Sequence, residues 1–241
     1  MHDDLAFAVA APPRTSTWAF VAVCAVAGAL AVPMHAVASP IASLVAGLVA
    51  FLGLRIWGWS GLATWIEAEA PDWFRRVARR AAWAGLGLVV GSVLLGVIRL
   101  VIEPVLPAAG SRIAAMSAMP LWRRFVIIYV AAVGEELFFR LILLSLVAGV
   151  TMRVLGPAVT RPSPGVVWVA NGVSALAFAA AHLHAWSAAG PMGLGLALMV
   201  LLLNGIGGVL FGYLFATRGI MAAIWAHAGA DCAIQLIGPL T

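Results

Sequence analysis

The chain has no lysine, only two cysteines and few acids: nine Asp and Glu against fourteen basic residues, all of them arginine, in 241 residues. So few cysteines exclude a disulfide framework or a cysteine metal cage, and Cys24 and Cys232 both sit in apolar runs, where they read as small buried hydrophobes. Charge is as scarce. With 10% charged and 64% hydrophobic residues, the chain cannot cover a water-soluble globule with polar surface, so it is an integral membrane protein. A nucleic-acid partner is excluded by the lack of a basic patch on a soluble face. The one arginine cluster, "WFRRVARR" at 73–80, lies between apolar runs and reads as a membrane-surface anchor. The missing lysine and the abundant alanine suggest a GC-rich bacterial genome, hence a bacterial inner membrane. No internal repeat and no second domain is visible.

What the chain does have is long apolar runs. About 20 apolar residues cross a bilayer as a helix, and runs of that kind fall at 17–38, 41–58, 82–105, 124–149, 166–187, 190–216 and 219–237. The expected fold is an all-α, polytopic transmembrane bundle of seven spans, or eight if the glycine-rich run 190–216, interrupted by Asn204, splits into two short helices. Arg14, the apolar run 18–32 and "AVAS" at 36–39 resemble a cleavable signal peptide. An uncleaved first helix is the preferred reading, because the next span follows almost at once. With seven spans, Arg14, Arg75, Arg76, Arg79, Arg80, Arg153, Arg161 and Arg218 share one side, and Arg112, Arg123 and Arg124 the other. That imbalance puts the N-terminus in the cytoplasm. The segment 66–81 reads either as a short interfacial amphipathic helix or as a solvated loop.

The informative residues are the ionisable ones inside these runs. In "AAVGEELFFRLILL" (131–144), Glu135, Glu136 and Arg140 interrupt an apolar span, and His182, His227 and Asp231 lie in or at the edge of two others. A charged group at a helix centre costs roughly 2.5–3.5 kcal/mol on insertion scales, so such groups persist where they pair, line a polar cavity or do chemistry. Glu136 and Arg140 stand four apart and can pair on one helix face. Glu135 projects about 100° away and is left for another partner. In "FAAAH", Phe178 and His182 share a face, as do His227 and Asp231 in "HAGAD"; His184 projects elsewhere and is set aside. The bland alternative is a buried ion-pair knot that merely pins helices together.

Two carboxylates, two histidines and an aspartate suit the activation of water against a carbonyl carbon. A glutamate sheltered from bulk water is a better general base, a neutral histidine holds the same water, and a second histidine with its partner serves the oxyanion. Glu135, His182, His227 and Asp231 are equally a credible zinc set, with metal-bound water as nucleophile. The residues leave both routes open, one without a cofactor and one with zinc.

"EELFFR", "FAAAH" and "HAGAD", in this order and each within an apolar span, resemble the E-E-x-x-x-R, F-x-x-x-H and H-x-x-x-(N/D) motifs of the CAAX protease and bacteriocin-processing (CPBP, or Abi) family of intramembrane endopeptidases. The resemblance covers about 124–237, so that 1–123 forms N-terminal helices with an interfacial segment and 124–241 the catalytic core. It implies that Glu135 activates water with the help of His182, that Glu136 and Arg140 shape the pocket with Phe178, and that His227 and Asp231 are the oxyanion-binding pair. Asp231 departs from the asparagine usual in eukaryotic members. An ionised aspartate cannot donate to an oxyanion, and orientation of His227 by Asp231 is the expected role. The implied substrate is a hydrophobic or lipid-modified peptide or a membrane-protein segment, met within the lipid bilayer; prenylated C-terminal tails are rare in bacteria. The competing readings are a proton-coupled transporter, in which Asn204 and its glycines form an unwound helix, and a non-catalytic scaffold or immunity protein of the same fold. There is no H-E-x-x-H, no G-x-S-x-G and no paired G-x-G-D to support another protease class.

Overall fold

In the computed structural model, residues 14–31, 38–62, 72–156, 161–188 and 190–240 are described, and their regular structure is entirely helical. In chain order they form α1 (Arg14–Ala31), α2 (Ala38–Ser60), α3 (Trp73–Val97, extended by a π turn Ile98–Ile102), α4 (Pro107–Ala115) and α5 (Leu121–Glu135). A π-helical segment, Glu136–Leu144, carries α5 directly into α6 (Ser145–Leu155). Then follow α7 (Pro164–Ser187), α8 (Leu194–Arg218) and α9 (Ile220–Cys232), which ends in a π turn, Ala233–Ile237.

Six stretches are long and apolar enough to cross a membrane: Pro40–Ser60, Trp73–Ile102, Leu121–Leu155, Pro164–Ser187, Leu194–Arg218 and Ile220–Leu240. The apolar part of α1, Thr17–Ala31, is shorter within the described residues. Large apolar side chains such as Leu44, Val89, Leu176 and Leu202 point outward, a surface that only lipid satisfies. The protein is thus an all-helical, multi-pass membrane protein.

Three expectations are revised. The run 190–216 is a single helix, because Asn204 donates Nδ2–H to Val200 O at 2.8 Å within α8 and so meets its own need without breaking the ladder. Residues 73–81 are the opening turns of α3, not a separate interfacial helix: Asp72 caps them, its Oδ1 accepting the Arg75 N–H at 2.7 Å. The stretch expected to link the third and fourth spans holds α4, which starts at Pro107 and buries Ala109 and Ile113 against Leu95, Ile98, Leu196 and Val200. Residues 66–71, the N-terminal residues 1–13 and residues 32–37 of the signal-like stretch lie outside the described residues.

Packing around α9 sets the site. α9 lies against α3, where Gly87 and Gly91 of one helix and Gly229 of the other leave no room for a Cβ, the backbones of Ala226, Ala230 and Ala84 occupying that space. This is the close approach of small residues that lets apolar helices pack in lipid. The turn into α9 is made by Gly219 at φ 93°, a backbone shape that glycine adopts without penalty. The long α5–α6 helix is fastened to α1 by Tyr129 Oη–H donating to Val23 O at 3.0 Å. Its far end is fastened to α2 by Arg153, which donates to Trp59 O at 3.0 Å and lies over the Trp59 ring.

Candidate active site

Glu135 is the last residue of α5 and Glu136 the first of the π segment, so the ladder changes register between the two carboxylates. A π insertion is common at functional sites because it turns side chains away from their α-helical directions. Two hydroxyls hold its carbonyls: Ser174 Oγ–H of α7 donates to Phe139 O at 2.6 Å, and Ser145 Oγ–H to Arg140 O at 3.4 Å.

The site has an inner layer without solvent contact. Glu136 Oε2 lies 3.2 Å from Arg140 Nε, and both side chains are 0% exposed. Arg140 also donates Nη2–H to Gly208 O at 3.1 Å and stands over the Phe178 and Phe211 rings, 4.5 and 5.6 Å from their centroids, so that charge, hydrogen bond and ring faces jointly offset its burial. The other oxygen of Glu136 is 2.8 Å from His227 Nδ1, a hydrogen bond in which the imidazole N–H donates. Phe211 stacks on the His227 ring at 4.7 Å and 12°, and Phe178 meets the same ring edge-on at 5.6 Å. His227 is therefore fixed in position and plane, with Nδ1–H committed to Glu136 and Nε2 turned the other way.

The outer layer lies on that other side and is partly open. Glu135, His182 and Asp231 are 31%, 22% and 25% exposed. Glu135 Oε2 sits 3.7 Å from His182 Nε2 and 3.8 Å from His227 Nε2, and makes no direct hydrogen bond. Both gaps are too long for a hydrogen bond and suit a single bridging water. His182 Nδ1–H donates to Phe178 O at 2.9 Å, which leaves Nε2 with its lone pair toward Glu135. Asp231 Oδ2 is 3.7 Å from His227 Nε2.

All seven residues singled out in the sequence thus meet in one cluster: Glu135, Glu136, Arg140, Phe178, His182, His227 and Asp231. The expected pairing of Glu136 with Arg140 is present, and Glu135 is left out of it. His184 is exposed and stays outside. One relation differs: the short hydrogen bond that orients His227 comes from Glu136, whereas Asp231 stands at 3.7 Å on the Nε2 side. Sequence reasoning missed Phe211, Ser174 and Gly208, which serve the site through a ring face, a hydroxyl and a carbonyl. Only the spacing of Gly207, Gly208, Phe211 and Gly212 on one stretch of α8 hinted at a buried seam. Among the described residues, no group of three or more His, Cys, Asp and Glu is placed to hold a metal ion. The zinc set expected from Glu135, His182, His227 and Asp231 does not fit, and no chemical step is derived through it.

Fold and site together define a multi-pass helical membrane protein with a carboxylate–histidine cluster between its spans. Residues 117–233 match the family model described as type II CAAX prenyl endopeptidase Rce1-like, a family named for a protease activity. Comparison with curated proteins and with solved structures returned no match.

Proposed function

We propose that the protein is an intramembrane endopeptidase that hydrolyses a peptide bond by a water molecule activated at Glu135. The observation that carries this reading is the position of Glu135 Oε2, unpartnered and 3.7–3.8 Å from the Nε2 atoms of two histidines on two other helices. A water in that gap gives one proton to Glu135, while its second hydrogen bond goes to the lone pair of His182 Nε2. The oxygen adds to the substrate carbonyl carbon. The carbonyl π pair moves onto the oxygen, and His227, as imidazolium, presents its Nε2–H to that oxyanion. Collapse of the tetrahedral intermediate breaks the C–N bond, and Glu135 returns its proton to the leaving amine. Glu136 and Arg140 do not react; they hold His227. Asp231 flanks the oxyanion side of His227.

The substrate is a hydrophobic or lipid-modified peptide or membrane-protein segment, because a site set among apolar spans is reached by apolar chains. The arginine asymmetry supports a cytoplasmic N-terminus, and the lysine-free, alanine-rich composition a bacterial inner membrane. Residues 124–241 carry the catalytic core and 1–123 supply supporting helices. The test is cleavage of a mixed library of hydrophobic and prenylated peptides by the purified protein in liposomes, read by mass spectrometry beside Glu135→Ala. Products made by the wild type and absent from the variant are expected. If a folded wild type yields nothing that the variant does not, the protease reading is wrong.

A further inference from the structure

Most arginines in or beside the spans have a partner: Arg140 pairs with Glu136, Arg99 with Glu103, and Arg112, Arg124 and Arg153 donate to main-chain carbonyls. Arg55 differs. It lies inside α2, five residues and about 7.5 Å of helix rise before the helix ends at Ser60. Its side chain is exposed, and among the described residues no hydrogen bond, ion pair or ring contact joins it. A cation on the lipid-facing side of a span is costly, so it persists where an anion meets it.

Its neighbours on α2 indicate which anion. Leu48, Leu52, Arg55 and Trp59 follow at steps of four, three and four, and all are exposed on one face. Apolar side chains come first, then the cation, then an indole one turn further on, at the boundary level where tryptophan collects in membranes. Trp59 is held there: Arg153 of α6 stands over its ring, 3.7 Å from the centroid, and donates to its carbonyl, while Gly149 of α6 has no room for a Cβ against the same ring. Arg153 is exposed as well, so two accessible guanidinium groups share this end of α2.

A helical Cα–Cβ bond tilts toward the helix N-terminus, which at this end of α2 is toward the bilayer interior. Arg55 therefore starts on a stem aimed away from water, and it reaches the headgroup level by bending back past Trp59. An acid on another span would bear the same burial as Arg55, whereas lipid phosphates already line that level. The end is also rich in arginine, with Arg75, Arg76, Arg79 and Arg80 opening α3 after the next loop, a charge that gathers anionic lipid. The guanidinium fork fits a phosphate through two parallel hydrogen bonds.

We propose that Arg55, with Trp59 and Arg153, binds the headgroup phosphate of an anionic phospholipid whose acyl chain lies along Leu52 and Leu48. The lipid then braces the candidate active site through α2. Gly53, two residues before Arg55, lies so close to the π segment that a Cβ there would meet Leu141 Cδ2 at 2.9 Å.

The wild type, Arg55→Gln and Arg123→Gln are to be reconstituted in bilayer discs of phosphatidylcholine, alone or mixed with phosphatidylglycerol, and their thermal midpoints compared. Arg123, exposed at the start of α5, controls for net charge. Phosphatidylglycerol is expected to raise the midpoint of the wild type and of Arg123→Gln by about 2–6 °C, the change that a lipid at roughly tenfold its dissociation constant produces in a chain of this size. Arg55→Gln should not move. Arg55→Lys, which keeps the charge but not the planar fork, should retain only part of the shift, and it decides the matter if Arg55→Gln does not fold. Inorganic phosphate added to the phosphatidylcholine discs should not reproduce the effect. A wild type that phosphatidylglycerol leaves unmoved, a full shift in either Arg55 variant, an equal loss in Arg123→Gln, or the same shift from free phosphate would overturn the proposal.

Discussion

The two layers of the cluster are built from the same residue types and behave oppositely. In the inner layer, Glu136, Arg140 and His227 are buried and joined by close contacts. In the outer layer, Glu135, His182 and Asp231 are partly open and stand 3.7–3.8 Å from their nearest ionisable neighbours. A carboxylate whose oxygens are engaged by Arg140 and His227 has little capacity left to take a proton from water. Glu135, with a free oxygen, has that capacity. On the proposed reading two adjacent glutamates divide the work, Glu136 supplying rigidity and Glu135 reactivity, and the change from α to π geometry between them lets neighbours face different partners.

The division is broken most severely at the reactive carboxylate. Glu135→Gln is expected to lower the cleavage rate by about 10²–10⁴ with no change in thermal midpoint, measured by peptide turnover beside a melt in the same detergent. Loss of activity together with loss of stability would instead place Glu135 in the structural layer. Removing one inner partner has the complementary effect. Arg140→Leu strands a buried carboxylate and should destabilise the fold by roughly 3–5 kcal/mol. Replacing Glu136 and Arg140 together by leucine should recover most of that stability but no activity, because His227 then has no acceptor at Nδ1. A double variant that cleaves would show that the inner layer does not orient His227.

A gentler perturbation moves the layers relative to each other. Gly87→Ala drives a methyl group into the Ala226 backbone beside His227, whereas a Cβ at Gly85, two residues earlier on α3, meets nothing within 4 Å. The first change should cost about 1–3 kcal/mol and reduce turnover. Gly85→Ala should leave turnover alone and add a few tenths to 1 kcal/mol of stability through helix propensity, both read from denaturant midpoints and initial rates. Asp231→Asn keeps the shape and adds a donor, so turnover should change by less than about tenfold, the worth of one hydrogen bond; a larger loss would give the Asp231 carboxylate a direct part in the chemistry. The smallest effect is expected from a zinc chelator, which should leave initial rates unchanged, since the described residues form no ligand set. A rate that falls on chelation and returns with added zinc would contradict that reading.

The sequence by itself determined the helical membrane class and which ionisable residues would have to be accounted for inside the spans. Apolar runs near 20 residues have one stable form in lipid, and ionisable residues within them are rare enough that Glu135, Glu136, Arg140, His182, His227 and Asp231 stand out without a structure. It also showed which pair would form inside one span, because a four-residue spacing on a helix is local geometry. Only the tertiary structure decided the rest. That Glu136 and not Asp231 holds His227 depends on how α9 is pressed against the π segment, and that in turn depends on glycines meeting backbones across α3 and α9. Phe211, Ser174 and Gly208 could not be singled out beforehand, since a ring face, a hydroxyl or a carbonyl in an apolar run carries no signal until another helix is placed against it. Spacing along a chain predicts contacts within one helix, whereas contacts between helices are set by which small residues allow the backbones to approach.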